Sequence, residues 1–215
     1  MLDKKTIEQI AHIDNLRYGG RLKTLGPVIR TLGWDTQKNQ FKRFESAVSL
    51  LDLRGKTIVD IGCGFGDFFD FLKSKKIKVK SYLGIDINQG LLEVANKHCK
   101  DGSFKRVNIL LNPPKKALAD VGFAFGVLNF NLKGKPDNYQ YAQDFIKRGF
   151  NLCREVFVVD MLSVYLAKSY KKESFVFYYS PEKMFKFAQT LTPNVVLKHD
   201  YEAIPQKEFT LYLKK

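Results

Sequence analysis

Cysteine is scarce: the 215 residues hold three, Cys63, Cys99 and Cys153, and no C-x-x-C pair. An odd count without that spacing speaks against a disulfide framework and a zinc site, and suits a reducing compartment. The three histidines, His12, His98 and His199, pair with no Cys or carboxylate at metal-ligand spacing, so no metal is expected. Long apolar runs are missing as well. No stretch reaches the roughly 18 residues that a membrane-spanning helix needs. The polar start, Met1-Leu2-Asp3-Lys4-Lys5, lacks the apolar segment of a secretory signal. The expectation is a cytoplasmic protein. Acidic residues are few: 22 Asp and Glu against 36 Lys and Arg leave a net charge of +14. That charge attracts polyanions, yet the longest basic stretch, Lys73 to Lys80, reads as a helix end leading into a strand, not an arginine-rich arm. Internal repeats and low-complexity linkers are absent.

What is present is a core. Apolar residues make up 45% and aromatics 13%, enough for one folded domain over 1–215. Ile7, Ile10, Ile13 and Leu16 lie three apart and predict an amphipathic helix over about 3–22, broken by Gly19-Gly20. A helix is expected from Phe41 to Leu51. From residue 56 strands and helices alternate. The predicted strands are Lys56–Ile61, Val79–Ile85, Phe104–Leu110, Val121–Leu128 and Glu155–Asp160. The predicted helices are Phe68–Lys75, Gly90–Lys100, Tyr139–Cys153 and one capped by Ser180 with Pro181 in its first turn. Two alternating strands, Val195–His199 and Glu208–Leu213, close the chain. This order predicts an α/β fold: a doubly wound, mostly parallel seven-stranded sheet with an antiparallel C-terminal hairpin. In such sheets ligands bind beyond the carboxyl ends of the strands.

After the first strand comes Asp60-Ile61-Gly62-Cys63-Gly64-Phe65-Gly66-Asp67. Glycine permits a sharp turn and lets a ligand touch the backbone. A dinucleotide turn, G-x-G-x-x-G, needs its third glycine at position 67, which is an aspartate here. Carboxylates at 60 and 67 repel a pyrophosphate and suit a ligand with positive charge and no phosphate. Asp86, at the end of the second predicted strand, is placed to take both hydroxyls of a ribose. Together these residues ask for a cationic nucleoside, S-adenosylmethionine.

At these positions the chain resembles the class I S-adenosylmethionine-dependent methyltransferases. Val59-Asp-Ile-Gly-Cys-Gly-Phe-Gly-Asp67 matches their first motif and Leu83-Gly-Ile-Asp-Ile87 their second. The resemblance runs from about Gly55 to the end and implies a Rossmann-like methyltransferase core over 55–215, with 1–50 as a helical cap. It implies that Asp60 meets the amino group of the methionine part. Gly62, Cys63, Gly64 and Gly66 form the turn, Asp86 holds the ribose, and Ile87 packs on the adenine. Asn108 stands where an acidic residue often reads the adenine amino group, with Ile109 beside it. Phe125 and Gly126 would line the methyl-transfer cleft. Tyr18, Trp34 and Arg43 fall in the cap, with Arg43 the candidate for the methionine carboxylate by charge complementarity.

Two motifs are set aside. Asn112-Pro113-Pro114 is similar to the N-P-P-Y/F motif of amino-methylating enzymes, but Lys115 follows and the fourth predicted strand begins later. Gly55-Lys56-Thr57 lacks the partner glycine of a P-loop and precedes a strand. No catalytic base is assigned; His199 is the one histidine considered for it. Asn129, Asn131, Tyr165 and Tyr178 (with Tyr179) are candidates for the acceptor pocket. The expected reaction is methyl transfer to oxygen or nitrogen of a small molecule. An RNA acceptor and a non-catalytic cofactor-binding subunit are the alternatives.

Overall fold

The computed structural model describes residues 1–134, 136–166, 170–204 and 206–215. Its centre is a run of β-branched and aromatic strands that pair in parallel: β1 (Thr57–Ile61), β2 (Ser81–Asp86), β3 (Ser103–Arg106), β4 (Ala119–Ala124) and β5 (Cys153–Leu162). β6 (Val195–Lys198) and β7 (Glu208–Lys214) are antiparallel to each other, and β7 inserts between β5 and β6. The order β3-β2-β1-β4-β5-β7-β6 reverses direction between β1 and β4. That reversal opens a crevice at the carboxyl ends, where ligands bind in doubly wound sheets. The seven-stranded, mostly parallel sheet with its antiparallel hairpin is the architecture expected from sequence.

Alternation along the strands divides the core in two. Ile58, Tyr82, Val121 and Phe123 face one side, against Phe44 and Ala47 of α2 (Gln37–Val48), Phe68 and Phe71 of α3 (Asp67–Ser74), and Leu92 and Ala95 of α4 (Gln89–His98). Val59, Ile61 and Ile85 face the other. There they meet Ala142, Phe145 and Ile146 of α5 (Asn138–Asn151) and Met184 of α6 (Pro181–Gln189). Ser180 caps α6 by accepting from Lys183 N, as its sequence predicts.

The helix expected from Phe41 to Leu51 runs instead over Gln37–Val48, and the fifth strand extends to Cys153–Leu162. Three other boundaries differ from expectation for a local reason. The first helix, α1 (Lys4–Leu25), runs straight through Gly19-Gly20. A helical glycine costs about 1 kcal/mol relative to alanine, but Gly19 lies against the Asn88 side chain, where a Cβ would be 3.8 Å from Nδ2. The true stop is Gly26 at φ 74°, whose N–H donates to Leu22 O, followed by Pro27. The third strand ends at Arg106 because the Asn108 side chain folds the next residues into a turn, accepting from Leu110 N and Leu111 N. β4 starts at Ala119 and stops before Gly126, which sits at φ 70°. Asn112-Pro113-Pro114 thus lies in the turn ahead of β4, apart from any strand end. No described helix is long and apolar enough to cross a membrane.

Candidate active site

The crevice between β1, β2 and β4 continues into a cavity of about 520 Å³, roofed by one face of α1: Ile7, Ile10, Ala11, Asp14, Arg17, Tyr18 and Arg21. These positions recur at three- and four-residue spacing, the period of one helix face. The roof is tied down at its start and its middle. Leu2 N donates to Asp144 of α5 at 2.6 Å, and Asn88 beyond β2 donates to Asn15 O at 3.4 Å.

The glycine turn forms the floor. Gly62 and Gly64 have φ of 80° and 54°, a region side chains rarely adopt. A Cβ on Gly62 would lie 2.1 Å from Val127 Cγ1. Gly66, at φ 86°, precedes α3 and leaves the first helical N–H groups to the turn. Cys63 lends its backbone to the cavity; its thiol tucks toward Gly84, where a Cβ would be 2.8 Å away.

Asp86 lies at the end of β2, with Oδ2 accepting from Gly64 N at 3.0 Å and Oδ1 from Asn88 N at 2.9 Å. Each oxygen keeps a lone pair for a hydroxyl donor from the cavity. Burial raises its carboxyl pKa, while these backbone donors oppose the rise. Asp60 is buried on β1 and accepts from Tyr82 OH at 2.5 Å. Burial lifts its pKa to about 7, against the Tyr82 hydrogen bond and helped by the charges of Asp86 and Asp67. Ile87, Asn108, Ile109, Phe125, Gly126, Tyr18 and Asn129 all line the same cavity. Phe125 belongs to an aromatic cluster with Phe44 and Phe68, at centroid distances of 4.8 and 5.0 Å.

Several assignments change. Arg43 lines the cavity but is 3% exposed, and both its terminal nitrogens are matched: Nη1 meets Asp160 at 2.9 Å and Nη2 meets Glu208, leaving only Nε without a partner among the described residues. Trp34 stacks over its guanidinium at 4.0 Å. Its charge is committed inside the protein, so it is not a free anchor for a ligand carboxylate. Asn108 cannot read an adenine amino group through its side-chain oxygen, because that oxygen accepts two backbone N–H groups; its NH₂ is what remains. Asn131 binds Lys133 N and Ser174 O and is not among the cavity residues. Tyr165 is 55% exposed, its hydroxyl on Glu182. Tyr178 accepts from Glu173 N, and Tyr179 is a core residue donating to Leu128 O; neither tyrosine lines the cavity. His199 lies away from the cavity, and burial lowers its pKa.

Sequence reasoning missed three residues of the roof. Arg21 has a buried Nη1 with no hydrogen-bond partner among the described residues. Arg17 lies over the faces of Phe130 and Phe175, at 4.9 and 5.8 Å from their centroids. Asp14 is half-buried, and desolvation raises its carboxyl pKa to about 6, against the pull of Arg17 and with the push of Asp86. All three share the face of Ile7 and Ile10. Following that face from Ile7 and Ile10 reaches Asp14 and Arg17, and carrying it past Gly19-Gly20 reaches Arg21.

Residues 35–201 match the model of the ubiE/COQ5 methyltransferase family. Comparison with curated proteins finds no sequence match. Among solved structures, the fold is similar to magnesium protoporphyrin IX methyltransferase of Synechocystis PCC 6803 with bound SAH. That match has a TM-score of 0.67 at 12% identity and covers 94% of this chain and 97% of the other. A S-adenosylmethionine-dependent methyltransferase from Clostridium acetobutylicum ATCC 824 aligns at TM-score 0.59 and 14% identity, covering 96% and 98%. The small RNA methyltransferase HEN1 aligns at TM-score 0.62 and 16% identity, covering 82% of this chain but 25% of that one.

Proposed function

The chain belongs to the ubiE/COQ5 methyltransferase family and is an S-adenosylmethionine-dependent methyltransferase; we propose that its acceptor is a small molecule, methylated on oxygen or nitrogen. The observation that carries this reading is the roof. The cavity of about 520 Å³ is covered by α1 and lies within the range of small-molecule sites. The named acceptor of the Synechocystis neighbour, a magnesium porphyrin, supports the same reading by analogy.

The residues present fit the cofactor. Gly62 and Gly64 bring bare backbone to the cavity floor, Asp86 keeps two lone pairs for the ribose, and Asp60 faces the ammonium. Arg21, whose buried Nη1 has no partner among the described residues, takes the methionine carboxylate in place of Arg43. When bound, S-adenosylmethionine supplies an electrophilic methyl group on a sulfonium whose departure as a neutral sulfide needs little help. The protein's part is to hold the acceptor in line and keep water out. Phe125, Phe130 and Phe175 supply apolar walls, and Asn129 a side-chain NH₂. A neutral amine attacks with its own lone pair. A hydroxyl must lose its proton, and Asp14, with its pKa near 6, is placed to accept it.

Labelled S-adenosylmethionine incubated with the protein tests the acceptor class, offered a protein-free metabolite extract or total RNA. Label is expected in the low-molecular-mass fraction; label in RNA at comparable rates overturns the reading. The RNA alternative rests on the +14 charge and the likeness to HEN1. It demands tRNA binding that falls steeply with added salt. Replacing Arg21 by alanine is expected to weaken binding of S-adenosylhomocysteine by roughly tenfold to a hundredfold, the loss of one charged hydrogen-bonded pair, without lowering Tm.

The Asp60 carboxyl gives a pH signature. Only its ionised form pairs with the ammonium. Affinity for S-adenosylhomocysteine should therefore fall as pH drops from 7 to 5.5, approaching tenfold per unit. Calorimetry at several pH values reads this, and Asp60→Asn should flatten the slope. In the ligand-free protein the sign is opposite. A carboxyl whose pKa is raised by folding costs stability as pH rises through 7, and bound ligand offsets that cost.

A further inference from the structure

Beside the glycine turn, the first turn of α3 meets the last turn of α4. Asp70 Oδ2 lies 3.0 Å from His98 Nε2, and Cys99 Sγ lies 3.6 Å from Asp70 Oδ1. One donor atom from each residue falls within 4.8 Å of the other two, the one such mixed group among the described residues. We propose that Asp70, His98 and Cys99 bind one divalent cation of the zinc class, at a site separate from the cofactor cavity.

Four observations converge. First, a tetrahedral ion with bonds of about 2.0–2.3 Å holds its ligands roughly 3.3–3.7 Å apart; His98 Nε2 lies 3.0 Å from Asp70 Oδ2 and Cys99 Sγ 3.6 Å from the other oxygen, Oδ1, and with one ligand atom from each residue within 4.8 Å of the others, side-chain rotation is what brings the three to that spacing. Second, one imidazole nitrogen, one sulfur and one carboxylate oxygen select zinc-like ions over magnesium or calcium. Third, access is one-sided. The Asp70 and His98 side chains are 42% and 45% exposed, while Cys99 is 2% exposed beneath them. An ion enters from solvent and the sulfur closes the inner side, leaving a fourth position to water. Fourth, His98 lies in the last turn of α4 and Cys99 is its C-cap, the helix end whose carbonyls favour a cation, while the Asp70 carboxylate offsets the positive end of α3 that it meets.

The chemistry is ligand exchange without electron transfer. The Cys99 thiol gives its proton to solvent, its sulfur lone pair to the ion, and one water leaves the ion for each ligand gained. Occupancy would also reach the cofactor turn. Cys99 Sγ lies 3.8 Å from Phe65 O and 4.0 Å from Gly66 O, and 3.0 Å from where a Gly66 Cβ would stand. The ion would join α3 to α4 directly behind the glycines. Sequence spacing hid the cluster: Asp70 and His98 are 28 positions apart and meet only when α3 and α4 pack.

The experiment uses the full chain, stripped with chelator, with Zn²⁺ followed by calorimetry and Co²⁺ as a spectroscopic probe. The expected result is one ion per chain with a Kd of about 1 µM or tighter and a thiolate-to-cobalt absorption band. His98→Ala, at a half-exposed position, should weaken binding at least roughly tenfold, and Cys99→Ser should remove the band. Wild-type affinity weaker than about 100 µM, or binding unchanged in both variants, overturns the proposal. Asp86→Ala should keep the ion, and His98→Ala should keep S-adenosylhomocysteine, so failure here is separable from failure of the methyltransferase reading.

Discussion

Asp86→Ala should weaken S-adenosylhomocysteine binding by roughly 10²–10⁴-fold while the protein stays folded. The ribose offers two hydroxyl donors to one carboxylate, and each hydrogen bond to a charged acceptor contributes about 1.5–3 kcal/mol. Losing both costs about 3–6 kcal/mol, at 1.4 kcal/mol per decade of affinity. Asp86 also accepts from Gly64 N and Asn88 N, so the alanine variant leaves the glycine turn without one of its supports. Asp86→Asn separates the two effects. Its one remaining oxygen can still accept from Gly64 N but cannot serve both hydroxyls, so intermediate affinity is expected. Trp34, the one tryptophan in the chain, lines the same cavity, and its fluorescence gives a direct titration signal. Circular dichroism checks that both variants are folded.

Arg43→Ala should have the opposite profile: a loss of about 3–5 kcal/mol in stability, the cost of leaving buried carboxyl groups unpaired. For a chain of this size that is a fall in Tm of roughly 6–20 °C. The arginine stands between Asp160 at 0% exposure and Glu208 at 1%. Burial opposes its charge, but the two carboxylates outweigh burial and hold it protonated. Burial raises the pKa of both acids in turn, while Arg43 pulls them down. The cluster also organises the site. Asp160 accepts from Gly126 N at 2.7 Å, and Trp34 rests on the guanidinium. Arg43→Ala combined with Glu208→Gln should recover part of the lost Tm by removing one unpaired acid. If Arg43→Ala instead kept its Tm and lost only ligand affinity, the arginine would be a ligand anchor after all, and Arg21 would lose that role.

How much of this the sequence carried depended on how local each cause is. The glycine turn and Asp86 were legible because their function needs particular residues at fixed short spacing: bare backbone at Gly62 and Gly64, a carboxylate at the end of β2. The strands read well where β-branched runs end at a glycine or aspartate, as in Thr57–Ile61. Asn108 was misread because an amide that could face a ligand also folds its own backbone, and only the two bonds from Leu110 N and Leu111 N decide between them. Arg43 was misread because its partners lie more than a hundred residues away, on β5 and β7. The roof was cut short at Gly19-Gly20, where propensity argued for a break, yet the helix continues to Leu25 over the cavity it covers. That one boundary concealed Arg21, which lies beyond the expected break, while Asp14 and Arg17 went unremarked on the same face.

Diffraction from crystals grown with S-adenosylhomocysteine tests the central claim most directly. Density is expected for one molecule under α1, with the ribose hydroxyls on Asp86, the amino group toward Asp60 and the carboxylate on Arg21. Density elsewhere on the protein, or an empty cavity beside a fully saturating ligand concentration, would contradict it.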